Sequence, residues 1–170
     1  MHHVETGGRQ YLLDCGLYQR HRQEAFTRNS EFPFAASMID AVLLSHAHID
    51  HSGNLPGLVK HGFQGPIYTT PATVDLCLAM LADSAFLQEK GAEFVNRHRE
   101  RRKALGRDDR PVTPLYAQED AKRTFQQFRA VPLSERKQVA EGLFYTIYDA
   151  GHILGSTSMI VEADGVRLGF

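Results

Sequence analysis

The chain has 170 residues with 42% hydrophobic and 23% charged content, a balance that suits one folded domain with its own core and excludes a disordered chain. A formal net charge of -1 gives no global attraction for nucleic acid, so any such binding has to come from local patches. No apolar run is long enough to cross a bilayer, and Met1-His2-His3-Val4-Glu5 does not read as a secretory signal. Cys15 and Cys77 have neither the spacing of a disulfide framework nor that of a thiolate zinc site, so the expected setting is reducing and cytoplasmic.

Residues 4–8 and 9–13 read as two strand pieces turned at Gly7-Gly8. Asp14 then ends an apolar run just before Gly16. This places a carboxylate at a strand's carboxyl end, where open α/β layers build their sites, although taken alone it reads better as a turn residue. Residues 18–37 read as a long loop with one helical turn, in which His21 is solvated. Ala41-Val42-Leu43-Leu44 reads as a short buried strand. It delivers Ser45-His46-Ala47-His48-Ile49-Asp50-His51-Ser52-Gly53, in which four metal-competent side chains follow within six residues. In an extended segment His46, His48 and Asp50 share one side, and His51 faces elsewhere, as a residue for a second metal does. A histidine-rich surface turn is the plainer alternative, but the pattern reads as a metal site.

Ser52 reads as the cap of a short helix that tolerates Pro56 in its first turn and closes at His61-Gly62. Gly65-Pro66-Ile67-Tyr68-Thr69-Thr70 reads as a strand, and residues 71–106 as the longest helix. Its part from 76 to 87 is apolar nearly all round, which implies burial on more than one side. Its far end carries Arg97, Arg99, Arg101, Arg102 and Lys103. That basic tract suits a phosphate backbone or, more commonly, a solvated helix end whose cations complement the dipole. A polar connection over 106–113, a helix over 116–128 and a polar stretch after Pro132 follow. Leu143-Phe144-Tyr145-Thr146-Ile147-Tyr148-Asp149 reads as a strand, and residues 157–162 and 166–170 as a hairpin across Asp164-Gly165.

Three segments together resemble the metallo-β-lactamase superfamily: Leu13-Asp14-Cys15-Gly16, the HxHxDH run from His46 to His51, and Gly151-His152. The residues around them, including Ile153-Leu154-Gly155-Ser156, resemble its β-CASP branch, whose members process RNA or DNA. The resemblance implies an α/β fold, the αββα sandwich, incomplete at both ends. Residues 1–170 are then a partial domain of a longer enzyme, without its β-CASP and C-terminal parts.

The resemblance also implies two metals at one edge of the sandwich. His46, His48 and His152 hold one, Asp50 and His51 hold the other, and Asp14 orients ligands from behind. The family's bridging aspartate and a later histidine have no counterpart in these residues. Zinc is the default ion for nitrogen and carboxylate donors, with manganese or iron as alternatives. The implied function is a dinuclear-zinc ribonuclease that cleaves phosphodiester bonds with a metal-bound hydroxide, with Asp50, His51 and Asp14 as its catalytic residues. RNA or single-stranded nucleic acid is the expected substrate, steered by Arg97, Arg99, Arg101, Arg102 and Lys103. Two other readings stand beside this one. One is a small-molecule hydrolase of thioesters or lactones, because the fold serves many chemistries. The other is a truncated, non-catalytic fragment.

Overall fold

The computed structural model describes residues 1–19, 22–103 and 111–170, with the side chains at 22–23 and 100–103 outside that description. His21, residues 106–110 of the polar connection, and the side chains of Arg101, Arg102 and Lys103 therefore lie outside the described residues.

Strand β1 (His2–Thr6) pairs antiparallel with β2 (Arg9–Leu13) through a tight turn at Gly7 and Gly8, both at positive φ. Helix α1 (Arg22–Ser30) and a 3-10 turn (Ala36–Met38) lead to β3 (Ile39–Leu43), which lies parallel to β2. Two short helices, α2 (Ile49–Ser52) and α3 (Leu55–Lys60), precede β4 (Ile67–Thr69). Helix α4 (Pro71–Lys103) and α5 (Gln118–Phe125) then lead to β5 (Phe128–Ala130). The first sheet has the order β1-β2-β3-β4-β5. The second is an antiparallel meander of β6 (Lys137–Ala140), β7 (Leu143–Asp149), β8 (Thr157–Ala163) and β9 (Val166–Gly169).

The period of two in β2 and β3 sorts their side chains into two cores. Tyr11, Leu13, Ala41 and Leu43 meet Leu143, Tyr145, Ile147, Met159 and Val161 of the second sheet. Leu12, Val42 and Leu44 turn the other way, onto Leu55, Leu58 and Val59 of α3 and Cys77 and Leu81 of α4. Strands buried on both faces read as unbroken apolar runs, which is why this pair stood out in the sequence. The layers are therefore helices, first sheet and second sheet, the mixed α/β class that the sequence implied.

Several local expectations differ from the structure. Residues 18–37 hold a nine-residue helix instead of a single turn. The Asn29 side chain bonds both the N–H and the carbonyl of Tyr18, and Arg28 pairs with Glu24 one turn earlier. Ser52 caps nothing; its hydroxyl donates to the carbonyls of Ala47 and His48, which closes α2 on the histidine loop. Helix α4 buries Thr73, Cys77, Leu81 and Ala85 at i, i+4 spacing, while Leu78, Phe86 and Leu87 are exposed. One stripe is covered, not several sides. Strand β5 begins at Phe128, where the sequence reading ended a helix, and β6 falls in the polar stretch after Pro132. None of the described helices is long and apolar enough to cross a membrane.

Candidate metal centre

The site is built at the end where β2 and β3 leave the first sheet. The carbonyls of Ile49 and His51 accept from the N–H groups of Leu17 and Cys15, so the exit of β2 lies directly against α2. Gly16 makes this approach possible, because a Cβ there would sit 1.6 Å from the Asp50 carbonyl oxygen. The contact places Asp14 beneath the histidines. Its carboxylate, 1% exposed, accepts from the Ser45 N–H (2.7 Å), the Ser45 hydroxyl (2.8 Å) and His51 Nδ1 (2.6 Å).

His46 and His48 lie between β3 and α2, and His152 enters from the loop between β7 and β8. His46 Nε2 lies 3.1 Å from His48 Nδ1, and His152 Nε2 lies 3.3 Å from the same nitrogen. All three nitrogens fall within 4.8 Å of one another. Two nitrogens at about 2.0–2.1 Å from a tetrahedral zinc stand roughly 3.3 Å apart, so these separations suit one ion. Burial first, and then the neighbouring His51, hold the His46 pKa below the ordinary imidazole range, which favours the neutral ring that a metal needs. His152 is exposed and His48 half-buried, so the cluster faces solvent.

Asp50 and His51 belong to the helical turn α2, so the extended pattern stops at His48. The alternation expected to align Asp50 with the two histidines is therefore not what positions it. The His51 ring lies 4.1 Å from that of His46, and its Nε2 lies 3.7 Å from an Asp50 carboxylate oxygen. The Asp50 side chain is 61% exposed. All six residues expected at the site, Asp14, His46, His48, Asp50, His51 and His152, thus meet at one edge. Arg97 and Arg99 do not. They sit towards the far end of α4, roughly 40 Å along the helix axis from its start at Pro71.

The sequence reading missed the hydroxyl residues that hold the histidine loops. The Ser156 hydroxyl accepts from the N–H groups of His152 and Ile153. Thr70 and Thr73, at the start of α4, both donate to the Gly155 carbonyl. Thr157 donates its N–H and its hydroxyl to the Ser45 carbonyl, both at 3.0 Å. Ser156 and Thr157 stand close after His152 in the sequence, but nothing in the sequence marks Thr70 and Thr73 as their partners. An apolar groove of about 1280 Å³, lined by Leu17, Phe26, Ile49, Leu87 and Val95 among others, runs between α1 and α4. None of the six site residues lines it, so the polar chemistry occupies the rim and not this groove.

Comparison with known proteins gives one family and a set of relatives. The family described as "Beta-lactamase superfamily domain" matches residues 9–155. Ribonuclease TTHA0252 of Thermus thermophilus is 30% identical over 167 residues, which is 98% of this chain and 33% of that protein. Transcription termination factor FttA of Methanocaldococcus jannaschii is 27% identical over 91% of this chain and 21% of its own length. The chain thus spans a third or less of these two relatives. Among solved structures, a metallo-β-lactamase HARLDQ-motif mutant from Cronobacter sakazakii superposes with a TM-score of 0.56 at 17% identity, covering 99% of this chain and 54% of that one. At that identity the likeness is one of fold.

Proposed function

The chain belongs to the β-lactamase superfamily, and from that premise we propose that it is the metal-binding portion of a dinuclear-zinc ribonuclease of the β-CASP branch, acting on RNA in the cytoplasm. The observation that carries this reading is the convergence of His46 Nε2, His48 Nδ1 and His152 Nε2 on one point. It occurs in a chain that aligns over 98% of its length with a ribonuclease. We assign His46, His48 and His152 to one ion, and Asp50 and His51 to a second. Held by these residues, paired ions would supply an activated water, its pKa lowered towards about 7, and positive charge to offset that developing at phosphorus.

The chain's own residues do the rest. Asp14 fixes the ring of His51 through its Nδ1 proton, leaving Nε2 directed away from the carboxylate. Asp50 presents an exposed carboxylate beside that nitrogen, placed to accept a proton from an attacking water. The exposed His152 keeps one side open to a polymeric substrate.

The first test is metal content, by plasma mass spectrometry on untagged chain purified without added metal. About two zinc equivalents are expected. His48→Ala is expected to lower the content and, in the protein that carries this segment, to abolish chelator-sensitive cleavage of labelled single-stranded RNA. Unchanged metal content and unchanged cleavage in that variant would reject the assignment.

A further inference from the structure

We infer that Ser45 is a positioning residue: its hydroxyl links the Asp14 carboxylate to His46 and thereby fixes which nitrogen of that ring is free to bind a metal. The inference rests on the metal-centre reading above. Its argument is a count of protons. A carboxylate only accepts, so the 2.6 Å contact between Asp14 Oδ2 and His51 Nδ1 places a proton on that nitrogen. The same oxygen lies 2.8 Å from Ser45 Oγ, so the single hydrogen of the hydroxyl is directed to Asp14. Ser45 Oγ can then only accept from His46 Nδ1, which lies 2.9 Å away. His46 is thereby held as the Nδ1–H tautomer, with its lone pair on Nε2, the atom that faces His48.

One buried carboxylate in this way sets both histidine groups: His51 directly, and His46 through one hydroxyl. The two dependences differ in weight. Asp14→Asn disturbs both, whereas Ser45→Ala acts chiefly on His46, because Ser45 Oγ lies 2.9 Å from His46 Nδ1 but 3.5 Å from His51 Nδ1, which bonds Asp14 at 2.6 Å. The backbone of Ser45 is anchored independently of its hydroxyl, because its N–H donates to Asp14 Oδ1 and its carbonyl accepts from Thr157. Removal of Oγ therefore leaves the loop tied at both sides. Ser45 is 5% exposed, so water does not freely replace its hydroxyl.

The test uses the full 170-residue chain in wild-type, Ser45→Ala and Ser45→Thr forms, with two readouts. Long-range proton–nitrogen correlation spectra of the metal-free chain report the His46 tautomer. Chelator competition with zinc reports affinity. The wild type is expected to show Nδ1–H at His46, and Ser45→Ala a mixture of tautomers with about 10- to 100-fold weaker binding of the first zinc. Ser45→Thr, which restores a hydroxyl, is expected to restore the single tautomer. A Ser45→Ala chain that keeps both the Nδ1–H tautomer and wild-type zinc affinity overturns the inference. So does a wild type whose His46 carries its proton on Nε2. A wild type that binds no zinc defeats the metal-centre reading instead, and the tautomer spectra still decide the role of Ser45.

Discussion

Asp14 holds a left-handed backbone conformation (φ 60°) while almost wholly buried, a combination that most side chains would not tolerate. Three hydrogen bonds to its carboxylate hold it there, and all three donors, two on Ser45 and one on His51, belong to the metal-site segment. Next to it, burial pushes the Cys15 thiol up to about 12, and burial raises Cys77 to about 12 as well. The sign follows directly. At pH 8 a thiol of that pKa is thiolate in only about one molecule in ten thousand, and the thiolate is the reactive form. Iodoacetamide is therefore expected to leave both cysteines unmodified in the folded chain at pH 8 and to label both in denaturant, as intact-mass spectrometry would read. Rapid labelling of Cys15 in the native state would show that the exit of β2 opens. At this scale the sequence was informative where one residue type allows few roles, as with His46 and His48. It was uninformative for Ser45, since a serine before a histidine has no distinctive pattern until its partners are known.

Among the elements, the loop from Asp149 to Ser156 matters most, because its place relative to α4 decides where His152 stands. Gly155 has a φ of 78°, and a Cβ there would come within 2.7 Å of Thr70 Oγ1 and 2.8 Å of the Thr73 nitrogen. Gly155→Ala is therefore expected to cost about 1–3 kcal/mol by crowding, in addition to its backbone strain, and to lower zinc affinity at least 10-fold by moving His152. Urea denaturation and chelator competition measure the two effects. Gly142 serves as the control, with a φ of 75° and nothing within 4 Å of its added Cβ. Gly142→Ala should show the backbone cost, about 1–2 kcal/mol, with zinc affinity unchanged.

Strand β7 was readable residue for residue because its inward side chains, Leu143, Tyr145 and Ile147, are large and alternate. Helix α1 and strands β5 and β6 were not. α1 carries little apolar periodicity and depends on the side chain of Asn29. β5 has three residues and acquires its meaning from pairing with β4. In β6 no residue is fully buried, so no alternation marks it.

At the scale of the molecule, the two sheets share one core, and the described helices pack against the first sheet's other face. Which strand lies beside which was not written in the periodicity; the resemblance implied a sandwich of layers, and the order β1-β2-β3-β4-β5 is known only from the structure. A ligand that binds only the folded state stabilises it by mass action, by about 2.7 kcal/mol at a hundred times its dissociation constant. For a chain of this size that raises the melting temperature by roughly 5–11 °C. Zinc is expected to produce such a rise, and excess chelator to reverse it, in calorimetric scans of the wild type. His48→Ala, which removes a donor of the first ion, should show a smaller rise with zinc than the wild type.

The three-histidine cluster has one further property. His46 and His48 hang from the first sheet and His152 from the second, and the bonded pair His48 and His152 is separated by 104 residues. An ion seated among them is a clasp across the sandwich. Sliding of one sheet over the other would change the nitrogen separations, and a tetrahedral ion tolerates only tenths of an ångström. Shear between the layers and occupancy of the centre would therefore be coupled, and a substitution in the inter-sheet core that shifts the sheets would be read out as a change in metal affinity.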